Sequence, residues 1–284
     1  MIRSICHGLC RGADGQSEVD PSEAFPLPYT NDLVRLAASV KIAGKGSALK
    51  ISLRDACNAI LDGYRTALRQ GGSPIILAEQ EHLLQTLGIA ELKAPEEFWR
   101  KLNRLPVSRR ECPPAARRAL NQALPKAVSY KLVSRTAGIG SLGQPRFVAI
   151  AEWKGGCIAR EAKAMVPPAS AWIGNKDSQK NYYNEIIESA VRSHDPFQSI
   201  IHGWLIRRLS PDSNPISISD WPKKRDEFNL LRSMGREAAN VHLGSVQHAK
   251  KIMKHLDGLE SSWLYAMAKV MAKAIIKDWK EYRV

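Results

Sequence analysis

The sequence is poor in cysteine and in long apolar runs. Its 284 residues include five cysteines at scattered spacings, and an odd number without a regular pattern argues against a disulfide framework. No apolar run approaches the length of about 20 residues that spans a bilayer. Residues 1–15 also lack the sustained apolar core of a signal peptide. We therefore expect a cytoplasmic protein with reduced thiols and no membrane partner.

Acidic residues are also scarce. The chain has 28 Asp and Glu against 42 Lys and Arg, which gives a net charge of +14 at pH 7. The imbalance is strongest between Arg100 and Arg135, where ten basic residues accompany one acid, Glu111. Prolines interrupt this stretch and it holds no nucleic-acid-binding motif, so we interpret it as a solvated basic face. A basic module that associates with nucleic acid is a weaker alternative. Either surface would attract ligands that carry phosphate.

Three glycines within six residues form the most informative motif. They open the run GIGSLGQPRFVAIAEWKGGCIAREAKA, which begins at Gly138 and contains a G-x-G-x-x-G hexad. A dinucleotide-binding fold would begin a helix at the last glycine, and a P-loop would need a lysine directly after it. Gln144 and Pro145 follow instead, so the sequence favours neither of these folds.

The residues after the hexad predict a β-hairpin. Residues 146–163 read as a strand rich in β-formers, a tight turn at residues 154–156 and a returning strand. Protein kinases place a glycine-rich loop and a lysine in this order, with the loop over the phosphates of ATP. Lys163 would then contact the phosphates, and Glu185 or Glu188 on the next helix would hold the lysine. The alternative is a glycine-tight hairpin with an ordinary surface lysine.

The rest of the chain reads mostly as helix. We predict an α+β protein in which residues 1–128 are mostly helical, residues 129–212 form a small β-rich lobe, and residues 213–284 pack on the first part. The predicted helices cover residues 31–40, 52–70, 74–88, 115–123, 177–192, 223–245, 246–256 and 261–282, with one more beginning at Pro95. The residues of the last helix expected to face the core are Trp263, Met267, Val270, Ala274 and Trp279.

Five segments share the pattern of a known family. They are NDLVRLAASV from Asn31, GIGSLGQPRFVAIAEW from Gly138, REAKA from Arg160, RRLSPDS from Arg207 and GREAANVHLGS from Gly235. They resemble a largely uncharacterised bacterial family, domain of unknown function 2252, over most of the chain from Ala24 onward. That family is similar to protein kinases and aminoglycoside phosphotransferases, with the segment order permuted. The resemblance implies a protein-kinase-like fold, with a small antiparallel-sheet lobe on a mostly helical lobe.

The resemblance also implies that the chain binds ATP and Mg. Lys163 would contact the phosphates, and Glu185 or Glu188 would hold Lys163 in place. Asp32 would support the catalytic loop, although an acid stabilised by the dipole at the start of a helix is almost as good an interpretation. The residues that would cover the phosphates are Gly138, Gly140, Ser141 and Gly143.

The front of the chain departs from the family pattern. The resemblance implies H-G-D-x-H-x-x-N and then D-F-D, but Leu9 stands where the first aspartate is expected and Ser22 replaces the last. Asp20 is the acid left to act in catalysis or to bind metal, and phosphoryl transfer depends on such carboxylates. The sequence thus leaves open an ATP-dependent phosphotransferase, an inactive kinase-like ATP-binding protein, and a non-catalytic regulatory protein that keeps the fold. It does not indicate the phosphate acceptor or a protein partner.

Two further groups have simple interpretations. His242 follows Glu237 on a predicted helix, where the two could form an acid/base couple, but a packed histidine is the more common case. Arg207 ends a predicted strand and could contact a phosphate. An ion pair of Arg207 with Asp212 or Asp220 is the plainer interpretation.

Overall fold

A computed structural model describes residues 4–5, 24–43, 51–74, 95–108, 111–136, 144–167, 181–193, 195–211 and 227–282. The helices in these ranges are α1 (Thr30–Ala43), α2 (Leu53–Gln70), α3 (Pro95–Asn103), α4 (Pro114–Ala123), α5 (Tyr183–Ser189), α6 (Glu227–His242), α7 (Ala249–Asp257) and α8 (Trp263–Tyr282). The strands are β1 (Ser4–Ile5), β2 (Ala24–Phe25), β3 (Tyr130–Ser134), β4 (Arg146–Trp153), β5 (Gly156–Ala164), β6 (Ser199–Ile201) and β7 (Trp204–Leu209). These elements confirm the predicted α+β class.

Five strands form one antiparallel sheet in the order β3-β4-β5-β7-β6, so β5 is the middle strand. The β4–β5 hairpin turns at Lys154 and Gly155, whose φ angles are +49° and +81°. His202 and Gly203 turn the β6–β7 hairpin in the same left-handed region. Such pairs suit two-residue hairpins because their twist matches that of the flanking strands. The hairpin predicted after the glycines is therefore confirmed.

Helices cover both faces of this sheet. On one face, Phe147 and Ala162 pack with Leu120 of α4. On the other face, Val148 belongs to a cluster that includes Leu102 of α3. α3 and α4 precede the sheet in sequence and fall within residues 1–128, the part predicted to be mostly helical. They nevertheless lie against the sheet, because each has an apolar side that a strand face can bury.

The remaining long helices share a separate core. Its members come from α1, α2, α6, α7 and α8, so the C-terminal helices pack with the first two. In α2, Ile60, Tyr64 and Leu68 are all buried, and their spacing of four residues places them on one side of the helix. α2 also begins as predicted, because the Ser52 hydroxyl accepts a hydrogen bond from the Asp55 backbone N–H at 3.1 Å and so caps the helix.

Two glycines set the distance between α2 and α6. A Cβ atom added at Gly63 would lie 1.8 Å from the carbonyl oxygen of Arg232, and one added at Gly235 would lie 2.1 Å from that of Ile60. No side chain fits at either separation, so the two backbones are in direct contact. Beyond this crossing, Asn240 near the end of α6 exchanges hydrogen bonds with the Ser73 backbone just after α2.

The face of α8 that meets the core differs from the predicted one. Leu264 and Ala268 are buried, whereas Met267, Val270 and Trp279 are exposed. The prediction was wrong for Met267, Val270, Ala274 and Trp279, whereas Trp263 packs against the core as predicted. Ala268, four positions after Leu264, is small and lets α8 pack closely on α1. Neither α8 nor any other helix in the described ranges is long and apolar enough to cross a membrane.

Adding a methyl group at the α2–α6 crossing should destabilise the protein. Gly235→Ala forces a Cβ atom against the backbone of α2, and overpacking of this kind costs about 1–3 kcal/mol of unfolding free energy. The matched control is Gly258→Ala, where the nearest atom would be 3.5 Å away. Urea unfolding followed by circular dichroism measures both variants. Equal midpoints for Gly235→Ala and Gly258→Ala would contradict the close crossing.

Candidate functional site

Lys163 lies near the end of the middle strand, β5. The residue is 7% exposed, which is rare for lysine. In the antiparallel register it stands opposite Arg146 on β4 and Leu205 on β7, and residues in register share a face of the sheet. The lysine singled out by the sequence is therefore a buried residue of the sheet and not an ordinary surface side chain.

Glu161, two residues before Lys163 on the same face, is the centre of a charged cluster. Glu161 is fully buried, with 0% exposure. Arg207 Nε donates to Glu161 Oε2 at 2.6 Å, and Arg146 Nη1 donates to the same oxygen at 3.2 Å. Arg135 Nη1 donates to Glu161 Oε1 at 3.3 Å. Charge-assisted bonds of this kind are roughly twice as strong as neutral ones, so they compensate for the burial of the carboxylate.

This cluster, which we call the Glu161 cluster, brings together charges from across the sheet. Arg135 directly follows β3, Arg146 begins β4, Glu161 and Lys163 lie on β5, and Arg207 lies on β7. Four of these five side chains are cationic. The clustering of positive groups on one partly covered face is an arrangement that favours anionic ligands.

The opposite face carries a different arginine environment. Arg160 Nε donates to the carbonyl oxygen of Ala123 at 3.2 Å, and its guanidinium lies 4.1 Å from the centroid of the Phe197 ring. Burial lowers the pKa of Arg160 below its ordinary value, and the positive charge of Arg208 lowers it further. Arg160 thus ties α4 to the sheet, and it lies on the other side from Lys163.

α5 packs beside the Lys163 end of the sheet. Tyr183 and Ile186 of this helix share a cluster with Leu205, the register partner of Lys163. Of the two glutamates predicted to hold Lys163, Glu185 is half-buried and Glu188 is exposed. Glu185 is therefore the better candidate. The helix is shorter than predicted and begins at Tyr183.

Several predicted site residues lie outside the described residues. They are Gly138, Gly140, Ser141, Gly143 and the front residues Leu9 and Asp20. Arg135 and Arg146, which lie on either side of the glycine segment, are described and belong to the Glu161 cluster. The backbone N–H of Arg135 donates to the carbonyl oxygen of Arg146 at 3.3 Å, which extends the β3–β4 pairing to the ends of these strands.

Asp32 belongs to a second buried cluster, in the helical part. It lies in the first turn of α1, and its Oδ2 atom is 2.9 Å from His242 Nε2 on α6. The other ring nitrogen, His242 Nδ1, is 2.7 Å from the Tyr64 hydroxyl on α2. His242 is a packed histidine with 2% exposure, the more common case expected from the sequence. Glu237, the alternative partner, contacts Arg192 and Asn240.

The distances in the Asp32 cluster fit a chain of hydrogen bonds through the His242 ring. Nε2–H of His242 donates to Asp32 Oδ2, and the Tyr64 hydroxyl donates to Nδ1 of His242. Burial raises the pKa of Tyr64 well above its ordinary value, and the nearby Tyr29 and Asp32 raise it further. Tyr64 therefore remains a hydrogen-bond donor. The cluster joins the start of α1 to α2 and α6, which gives Asp32 a structural role in the helical part.

Sequence reasoning missed Glu161. A signal was present, because Glu161 and Lys163 alternate with apolar residues on a predicted strand, and a charge that becomes buried needs a partner. Arg207 bonds to Glu161, 46 residues away, while Asp212 and Asp220, the acids suggested by the sequence, lie outside the described residues. The pairing of Asp32 with His242 spans 210 residues and had no local signal.

The basic stretch between Arg100 and Arg135 does not form one continuous strip. Arg100 and Arg104 are exposed at the end of α3, whereas Arg117 and Arg118 are exposed on α4. These two helices cover opposite faces of the sheet. The charges therefore spread over two sides of the β-rich part.

Comparison with protein families gives one match. Residues 19–127 match the family described as "Uncharacterized protein conserved in bacteria (DUF2252)", which supports the resemblance to a bacterial domain of unknown function. The match includes α1 to α4 and ends before β3, so the Glu161 cluster lies beyond it. Comparisons with curated proteins and with solved structures gave no match.

Removing the Asp32 carboxylate should destabilise the fold. Asp32→Ala leaves the buried Nε2–H of His242 without this acceptor, and an unsatisfied buried donor costs about 1–3 kcal/mol. Asp62→Ala is the control, because Asp62 pairs with Arg232 in a largely exposed ion pair that contributes about 0–1 kcal/mol. Urea unfolding gives both free energies. A loss for Asp32→Ala no larger than that for Asp62→Ala would contradict this role.

Stability should decline between pH 10 and 12 partly through Tyr29. Burial raises the pKa of Tyr29 from 10.0 to about 12, and Arg65 opposes the shift in part. In this window the unfolded chain loses the phenolic proton while the folded chain keeps it, so rising pH favours unfolding. Tyr29→Phe should therefore show a shallower decline in unfolding free energy than wild type. Tyr282→Phe, at a residue 91% exposed, should not, and identical slopes in all three proteins would refute the linkage.

Proposed function

We propose that the sheet face around Lys163 binds the phosphates of ATP, and that the chain is a kinase-like protein of phosphotransferase descent. The observation that carries this proposal is the burial of Lys163 on the middle strand, directly opposite Arg146. Lysine and arginine donate charge-assisted hydrogen bonds to phosphate oxygens. Such bonds are stronger where water is excluded, because the local dielectric constant is low.

The order of elements along the chain supports the same function. β3, the glycine-containing residues 137–143, β4 and β5 follow one another, and α5 comes next. Protein kinases use this order, with a lysine on the third strand and a glutamate on the following helix. Lys163 and Glu185 are the candidates for these two positions. The contribution of the glycines stays a prediction from the sequence.

The described residues suit phosphate better than Mg. Mg prefers carboxylate and water oxygens, and the carboxylate of Glu161 is held by three guanidinium groups. Within the described ranges, no group of three His, Cys, Asp or Glu side chains is placed to hold a metal ion. Asp20, the metal-binding acid implied by the resemblance, stays a prediction. The proposed function is therefore nucleotide binding and includes no metal-dependent step.

Phosphoryl transfer is a separate property of such a protein. Leu9 stands where the family resemblance implies a catalytic aspartate, which favours a regulatory protein that binds ATP without turning it over. Measuring ADP formed from ATP by the purified chain tests for turnover with water as the phosphoryl acceptor. Sustained ADP formation that is lost in Lys163→Met would identify phosphoryl transfer at this site, whereas binding without ADP formation would support a regulatory protein.

Replacing Lys163 should abolish stabilisation by ATP. A ligand at a hundredfold excess over its Kd adds about 2.7 kcal/mol to the unfolding free energy, so wild type should melt at a higher temperature with ATP than without it. Lys163→Met keeps the length of the side chain and removes its charge, and it should show no such increase. Differential scanning fluorimetry with and without ATP measures the effect.

The matched control is Lys154→Met, on the turn of the same hairpin. Lys154 is exposed and its ammonium lies 5.7 Å from the centroid of the Trp153 ring, away from the Glu161 cluster. This variant should keep the full shift in melting temperature. The proposed function fails if millimolar ATP leaves wild type unchanged, or if Lys163→Met responds as strongly as Lys154→Met.

A further inference from the structure

We propose that Glu161 is a positioning residue of the nucleotide site, a role that rests on the function proposed above. Its carboxylate holds Arg135 and Arg146, the two described arginines that flank the glycine segment, in place relative to Lys163. Glu161 would therefore act on the ligand through these cations. This role is not implied by the kinase resemblance, which concerns Lys163 and the helix glutamate.

The geometry ties four strands to one carboxylate. Glu161 belongs to β5 and stands in register with Val148 on β4 and Arg207 on β7. Its Oε2 atom accepts from Arg146 and Arg207, and its Oε1 atom accepts from Arg135 beyond the end of β3. Both carboxylate oxygens thus have guanidinium partners from other strands.

The two flanking arginines lie at the strand ends that border the glycine segment. Arg135 is the first residue after β3, and Arg146 is the first residue of β4. Their backbones are joined by one hydrogen bond of 3.3 Å, and their side chains meet at Glu161. Since Arg146 is also the register partner of Lys163, any shift in the Arg146 guanidinium changes the group beside the lysine.

Burial makes the carboxylate necessary to this arrangement. Glu161 has 0% exposure, and Arg146 and Arg207 are 6% and 9% exposed. Without the negative charge, the guanidinium groups of Arg135, Arg146 and Arg207 would lose their shared acceptor in a region where water screens charge poorly. They would then move apart, and the removal of one partner from a buried ion network is costly for this reason.

A positioning role and a purely electrostatic role predict opposite changes in the Kd of ATP when the charge of Glu161 is removed. If Glu161 acted only through its charge, its removal would tighten the binding of ATP, because a negative group near the phosphates would be gone. If Glu161 positions the cations, its removal weakens binding even though the net positive charge increases. The sign of the change in Kd therefore separates these roles.

The experiment measures the Kd of ATP by isothermal titration calorimetry for wild type, Glu161→Gln and Arg207→Lys. Glu161→Gln keeps the shape and removes the charge. Arg207→Lys keeps the charge and removes the 2.6 Å bond that holds the carboxylate. Because each variant loses charge-assisted hydrogen bonds that hold the cations, we expect each to bind ATP about tenfold more weakly than wild type. The control, Glu152→Gln on the exposed end of β4, should keep the wild-type Kd.

The melting temperature of each variant shows whether its Kd is measured on folded protein. Weaker binding by Glu161→Gln and Arg207→Lys, measured well below their melting temperatures, supports the positioning role. Tighter or unchanged binding overturns it, even if the variant melts at a lower temperature than wild type. If Glu161→Gln does not fold, the Kd of Arg207→Lys decides in the same way.

A separate readout keeps this inference testable if wild type does not bind ATP. In that case the proposed function fails, and hydrogen exchange without nucleotide tests the carboxylate itself. Peptides covering residues 131–136 and 144–148 should exchange faster in Arg207→Lys than in wild type, because the arginines on either side of the glycine segment are less firmly held. Unchanged exchange in both peptides would show that Glu161 does not hold these strand ends.

Discussion

A buried carboxylate bound by three guanidinium groups fixes the β-rich part of this protein. Glu161 contacts cations from β4, β7 and the end of β3, and these contacts exist only in one strand register. A slip of one residue would move Glu161 to the face that packs against α4, among Phe147 and Ala162. The charge would then be buried without its partners. The same register places Lys163 opposite Arg146.

The helical part is organised around a comparable buried acid. Asp32 at the start of α1 meets His242 of α6, and His242 meets Tyr64 of α2. The direct backbone contact at Gly63 and Gly235 holds α2 and α6 close together, and the Tyr64 hydroxyl reaches His242 between them. In both parts of the protein, polar groups far apart in sequence are paired through tight packing of the elements that carry them.

Local patterns in the sequence predicted much of the fold. Turn residues and β-formers identified the β4–β5 hairpin, and apolar spacing identified α1, α2 and the C-terminal helices. These signals depend on residues close together in the chain. The placement of α3 and α4 on the sheet could not be predicted in this way, because an amphipathic helix fits either a helix or a sheet. Only Trp263 of the inner face of α8 was predicted, since the alanines that pack there are less hydrophobic than their neighbours.

The candidate site was predicted only in part, for the same reason. Lys163 followed from its spacing to the glycines, a local pattern. Glu161 and the side chain of Arg207 meet through the β5–β7 pairing, which closes after a long intervening segment that includes α5. Strand pairing across such a segment has no marker at either residue. The cations that accompany Lys163 therefore became apparent only from the sheet order.

The most direct test of the Lys163 site is a crystal structure of the chain grown with a non-hydrolysable ATP analogue. We expect phosphate density within hydrogen-bonding distance of Lys163 Nζ, on the sheet face that carries the Glu161 cluster. Density for the nucleotide on another surface, with Lys163 making no contact to it, would contradict the assignment of this face as the phosphate site.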